Sequence, residues 1–177
     1  MDAKTLSQAA GCSKIRATSW LPHICSAMDR YQINTKGRQA AFLAQVAHES
    51  CRLLFVREIW NPAQCPWQAH YEGRADLGNT QPGDGKRFMG RGLLQVTGRA
   101  NYAAVAAALG LPLLDHPELL EQPEHASASA AWFWFSHGLN SLADNGDFIG
   151  ITRRINGGTN GLQERTALFL NAQRALA

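Results

Sequence analysis

Apolar positions recur along this chain mostly at three- and four-residue intervals, the spacing that lines side chains along one face of an α-helix. Residues 3–10 fit a short helix closed by Gly11. Residues 19–31 carry Trp20, Ile24, Cys25, Met28 and Tyr31 on one face, spaced for burial. Thr35 is placed to cap a helix over 36–49, in which Ala40, Leu43, Ala44 and Ala47 form one stripe and Phe42, Gln45, Val46 and Glu49 its neighbour. Tyr102, Val105 and Leu109 face inward in a helix over 100–109 that Gly110 stops, and Pro117 opens a short one. Further helices are predicted over 124–137, 147–155 and 162–175. The run Trp132-Phe133-Trp134-Phe135 is apolar all round, so its helix is expected to be central, with Ala128, Ala131, Trp132 and Phe135 inward.

Two stretches break the helical period. Between 73 and 92 the glycines are too dense for a helix, and Asp84-Gly85 reads as a turn. Residues 90–98 read as a short extended segment. Alternation there puts Leu93, Gln95 and Thr97 on a face able to hydrogen-bond a ligand, and Leu94 and Val96 on the other. The predicted class is therefore mainly α, with seven to eight helices and at most a small β-hairpin, which excludes a doubly wound sheet.

Composition sharpens this only a little. At 177 residues, 45% apolar and 18% charged, the chain is sized for one globular domain. Its net charge of +3 comes without Lys/Arg blocks, so no nucleic-acid partner is expected, although an anionic polymer would suit it. Residues 1–6 contain no apolar signal core and no run is long enough to span a membrane, so neither export nor stable membrane association is expected. Cys12, Cys25, Cys51 and Cys65 lack CxxC spacing and the six histidines lack an HExxH pair, so no metal or other cofactor is expected. The cysteines read as reduced small hydrophobes, with a Cys51–Cys65 bridge reserved for an oxidising space.

The candidate chemistry rests on carboxylates. Glu49 ends its helix beside apolar neighbours, where desolvation would raise its pKa and fit it as a general acid. Glu58 interrupts the apolar run 53–60, with Arg57 and local polarity to keep it ionised, and is the candidate base; Glu72, in a looser loop, is its rival. Trp67, His70 and Tyr71 are groups that stack on sugar rings or pack beneath their own loop. Two carboxylates among Gln, Thr and Asn side chains point to glycoside hydrolysis. A Cys51 nucleophile served by a distant His is the competing chemistry, and nothing marks either partner.

Three blocks carry a resemblance. Ala47-His48-Glu49-Ser50, residues 85–102 with GRGLLQVTGRANY at 90–102, and Ile151-Thr152-Arg153-Arg154-Ile155-Asn156-Gly157-Gly158 resemble glycoside hydrolase family 19, the short phage endolysins more than the plant chitinases. The resemblance implies a lysozyme-like single catalytic domain over 1–177, with no separate wall-binding module, and inverting hydrolysis of a β-1,4-linked N-acetylated sugar polymer. On matching positions Glu49 is the acid and Glu58 the endolysins' second Glu. Thr97, Gln95 and Asn101 line the cleft and help position water, and Asn156 and Arg165 form its far wall. Tyr102, Trp67 and Tyr71 are counted with the binding residues.

Three departures accompany the match: Cys51 stands where a glycine usually follows His-Glu-Ser, the region after Glu49 is shorter than in plant chitinases, and Asn160 lies where those often carry another acid. The resulting expectation is a monomeric endolysin that cuts bacterial peptidoglycan between N-acetylmuramic acid and N-acetylglucosamine. It would be made in a host cytoplasm and act on the periplasmic wall once the inner membrane opens. The alternatives are a chitinase and a catalytically silent glycan-binding protein.

Overall fold

Side-chain caps decide where several of the helices begin. In the computed structural model, which describes residues 1–177, Asp2 accepts from the Thr5 amide at 2.8 Å and opens α1 (Ala3–Ala10). Ser13 caps α2 (Lys14–Arg30), which starts ahead of the expected residue 19 and continues through Pro22. Thr35 caps α3 (Lys36–Glu49) as predicted, its hydroxyl accepting from the Arg38 amide at 3.2 Å. The chain then forms α4 (Asp84–Arg87), α5 (Arg99–Leu109), α6 (Pro123–Ser136), α7 (Leu139–Asp144), α8 (Phe148–Asn156, capped by Asp147) and α9 (Leu162–Leu176). Pro66–Tyr71, Ala75–Leu77 and Pro117–Glu121 are 3-10 turns. The extra helices relative to the sequence reading are α4, where a turn was expected at Asp84-Gly85, and the short α7.

Alanines make α3 the centre. Every residue from 40 to 47 is buried, because small side chains let neighbours close in all round and not along one stripe. Its most extensive partner is α9, with α1 packed on both and α2 on α6. Beyond its first turn, α3 becomes accessible again only at His48 and Glu49.

The aromatic run of α6 divides its work. Trp134 is fully buried with its ring edge-on to Phe42 at 5.5 Å, but Phe135 is 47% exposed and Trp132 and Phe133 are half-buried. Four consecutive residues point all around a helix, and α6 is covered on only part of its circumference, so the expected inward face is only partly realised.

A smaller core of Phe88, Tyr102, Val105, Leu113 and Leu120 lies beside the main one, and Trp132 packs against both. The glycine block between them is not a strand. Arg91 and Val96 form a lone antiparallel bridge across the turn 92–95, and Arg57 bridges Arg91 on its other side. Gly92 at φ +83° and Gln95 at φ +51° turn the chain, so the expected alternation of faces is lost. Leu93 is buried, while Leu94, Gln95, Val96 and Thr97 all border one cavity.

After Glu49 the backbone is strained. Cys51, Arg52 and Leu53 have φ of +48°, +61° and +63°, a conformation that costs an L-residue with a Cβ about 1–2 kcal/mol. Ser50 holds the turn: its hydroxyl donates to the Val46 carbonyl at 2.6 Å and accepts from the Leu53 amide at 2.9 Å. Cys51 is exposed, and all four cysteines are free thiols. Cys51→Gly should therefore stabilise the protein by about 1 kcal/mol, raising Tm by roughly 2–4 °C. A lower Tm in a thermal melt would show that the thiol's contacts outweigh the strain.

Candidate active site

The cavity bordered by the glycine block lies where the two cores meet and holds about 270 Å³. Leu77, Asn101 and Val105 line it from the smaller side, Ser129, Trp132 and Phe133 from α6, His137 from the cap that ends α6, and Ile155 from α8. Gln95 and Thr97 project from the turn between them. Trp132, Phe133 and His137 were not foreseen as site residues. The available signal was the aromatic run itself, which has more large side chains than one buried face can hold.

Gly90 connects this cavity to Glu58. Its amide donates to Glu58 Oε1 at 2.8 Å and its carbonyl accepts from the Glu58 amide at 3.0 Å. A Cβ on Gly90 would lie 2.5 Å from Gln95 Oε1 and 3.3 Å from Thr97 Oγ1, so a larger residue there would push the end of the Gln95 side chain aside. Gln68 Nε2 stands 3.4 Å from Glu58 Oε2. Arg57 turns away to Glu121 at 3.5 Å, so the backbone and Gln68, not Arg57, are what hold Glu58. With Oε1 committed to the backbone and Oε2 only loosely engaged, Oε2 is the atom free to take a proton. Glu58 also borders an open groove of about 580 Å³ with Leu54, Phe55, Ile59, Trp60 and Lys86.

Glu49 sits differently from the sequence expectation. Its neighbour is the guanidinium of Arg165, a residue only 2% exposed, so the carboxylate is ion-paired and not lodged among apolar groups. Arg165 is accordingly no cleft wall; it lies behind the candidate acid. His48 Nδ1 stands 3.0 Å from Glu164 Oε2, off the line of a good hydrogen bond, and its ring packs on Gly161. The loop after α8 is thereby held against the end of α3. At the end of α8 the Nδ2 of Asn156 is buried without a partner, and Asn156 borders neither the cavity nor the groove.

The remaining candidates separate. Asn101 borders the cavity and donates to the Thr97 carbonyl at 2.7 Å. Tyr102 is fully buried, donating to the Met89 carbonyl at 2.7 Å and accepting from Arg91 at 3.0 Å. Burial pushes its phenol up to about 12, and it braces the glycine block without facing the cavity. Tyr71 packs its ring against Trp60 at 6.2 Å; burial, then the nearby Glu58 carboxylate, raises its pKa. Trp67 is 59% exposed on its 3-10 turn and borders neither cavity nor groove.

Glu72 is tied down at both oxygens, accepting from the amides of Gly83 at 2.6 Å and Gly85 at 2.9 Å. It clamps the start of α4, which leaves it poorly placed to serve as a base. Glu58→Gln should lower turnover by about 10²- to 10⁴-fold, whereas Glu72→Gln should keep turnover and lose only a few degrees of Tm, about one hydrogen bond's worth. An inactive Glu72→Gln beside an active Glu58→Gln would reassign the base.

Comparison with known proteins assigns the chain to a family. Residues 12–145 match the glycoside hydrolase family 19 description "Chitinase class I". The chain belongs to glycoside hydrolase family 19. A Haemophilus influenzae protein described as containing a family 19 domain is 32% identical over 159 residues, 76% of this chain and 78% of that one. An endochitinase of Arabidopsis thaliana is 35% identical over 156 residues; the chain spans about half, 51%, of that protein's length. Chitinase C from Streptomyces griseus HUT6037 superposes with a TM-score of 0.78 at 26% identity, covering 99% of this chain and 91% of that one. The mainly helical, lysozyme-like fold expected for a family 19 member is thus the fold of this chain.

Proposed function

We propose that this family 19 protein hydrolyses β-1,4-linked N-acetylglucosamine polymers of the chitin type, with inversion at the anomeric carbon. The observation that carries the reading is the pair of separately held carboxylates: Glu49 on Arg165, and Glu58 on Gly90 beside Gln95 and Thr97. In this mechanism Glu49 carries a proton on Oε2, the oxygen that Arg165 leaves free, and delivers it to the glycosidic oxygen as the bond to the anomeric carbon breaks. Oε2 of Glu58 takes a proton from a water that attacks the opposite face. Gln95, Thr97 and Asn101 orient the sugar and that water, and the exposed faces of Trp132 and Phe133 suit the apolar side of a pyranose ring.

Chitin stands ahead of peptidoglycan because the Arabidopsis and Streptomyces proteins are described as chitinases. The wall glycan expected from the likeness to endolysins is the second arm of the test. N-acetylglucosamine hexamer and purified peptidoglycan are digested in parallel, the products reduced and weighed by mass spectrometry, and the first anomer formed is read by NMR. Shortened oligomers bearing a new α-anomer, and none with Glu49→Gln, are the expected result. Intact hexamer with muropeptides ending in reduced muramic acid would move the substrate to peptidoglycan. Binding to both polymers without cleavage of either would make the chain a glycan-binding protein.

A further inference from the structure

Behind Glu49 lies a run of buried polar groups that the hydrolytic mechanism does not use. The two terminal nitrogens of Arg165 are divided: one donates to Glu49 and the other to Oε1 of Gln45, and Nε donates to the Asn160 carbonyl at 3.1 Å. Gln45 and Glu49 are four residues apart on α3, so they share a face and present two acceptors, one turn apart, to a single guanidinium. Gln45 in turn donates from Nε2 to Thr152 Oγ1 at 2.9 Å, and that hydroxyl donates to the Phe148 carbonyl at 3.0 Å. Gln45 and Thr152 are fully buried and Arg165 nearly so.

The direction of this chain is fixed from its far end. The Phe148 carbonyl can only accept, so the Thr152 hydroxyl points its hydrogen there and must accept from Gln45. The Gln45 amide then has one orientation, nitrogen to Thr152 and oxygen to Arg165. A neutral acceptor satisfies the second nitrogen of the guanidinium without bringing a second anion, leaving the positive charge undivided for Glu49.

We propose that Gln45 and Thr152 are positioning residues for the candidate acid: through Arg165 they set where the Glu49 carboxylate stands relative to the glycosidic oxygen. Neither touches substrate. The proposal rests on the reading of Glu49 as the acid, and it predicts an effect on turnover without one on binding.

The test uses Gln45→Met, which fills similar space with a weakly accepting thioether in place of the amide, Thr152→Val, which is isosteric without a hydroxyl, and Thr152→Ser, which keeps it. Gln45→Met should lower kcat by about ten- to a hundredfold, the scale of a misplaced catalytic group, with KM within twofold of wild type. Thr152→Val should lower kcat by a smaller factor, and Thr152→Ser should restore it. Unchanged kcat in a folded Gln45→Met, or Thr152→Ser as impaired as Thr152→Val, would overturn the proposal. If Gln45→Met fails to fold, the Val and Ser pair decides.

Should the wild type cleave no glycan, urea midpoints decide instead. The double variant Gln45→Met/Glu49→Gln should lose less than the sum of its two single variants, because both act on one guanidinium, and strict additivity would refute the coupling. That outcome is distinct from failure of the hydrolase reading, which shows as absent turnover with the coupling intact.

Discussion

Glu49→Gln is expected to lower turnover by about 10²- to 10⁴-fold, because an amide cannot hand a proton to the leaving oxygen. It should also reduce stability, which the sequence by itself did not lead one to expect. Arg165 is 2% exposed and Glu49 is its only anionic partner. Gln in its place can still accept the hydrogen bond but leaves the buried cation without a countercharge, a loss of about 2 kcal/mol on the scale of charged hydrogen bonds, or roughly 4–8 °C in Tm. Turnover and a thermal melt on the same preparation check both halves. Turnover within threefold of wild type would remove Glu49 from the acid role, and an unchanged Tm would show that the pair adds nothing net to the fold.

What the sequence made legible follows from the range of the interaction concerned. Helices α3, α5 and α9 could be placed because spacing and local signals such as the Thr35 cap and the Gly110 stop act within a few residues, and Glu49 could be singled out because its helix ends on it. Its surroundings could not be read, because Arg165 lies 116 residues further along and only the packing of α9 on α3 brings it there. Choosing between Glu58 and Glu72 was beyond local reasoning for the same cause. Each accepts from backbone amides in the glycine-rich segment, and only the fold shows that Glu72 has both oxygens committed while Glu58 has one to spare. Alternation failed over 90–98 because Gln95 takes a left-handed conformation that nothing in its side chain announces. Tyr102 belongs to the motif that carries the family likeness, yet its role is to brace the loop from beneath, so membership in a motif did not locate a residue at the cleft.

The largest loss of stability is expected from Arg165→Met. The substitution removes the one group that satisfies Glu49, Gln45 and the Asn160 carbonyl together, leaving three acceptors without their shared donor. Breaking a buried pair by deleting one partner costs about 3–5 kcal/mol, and the 22% exposure of the Glu49 side chain, which lets water reach its carboxylate, puts the loss near the lower end. About 3 kcal/mol corresponds to a Tm lowered by roughly 6–12 °C. Arg165→Lys should recover only part of it, since one ammonium cannot reproduce the planar fork that reaches both Gln45 and Glu49. The double variant Glu49→Gln/Arg165→Met should lose less than the two single changes added together, because the second removes a charge that the first has already stranded. A Tm drop under 2 °C for Arg165→Met would mean that water replaces the guanidinium at little cost, so that the end of α3 stands without its clamp to α9.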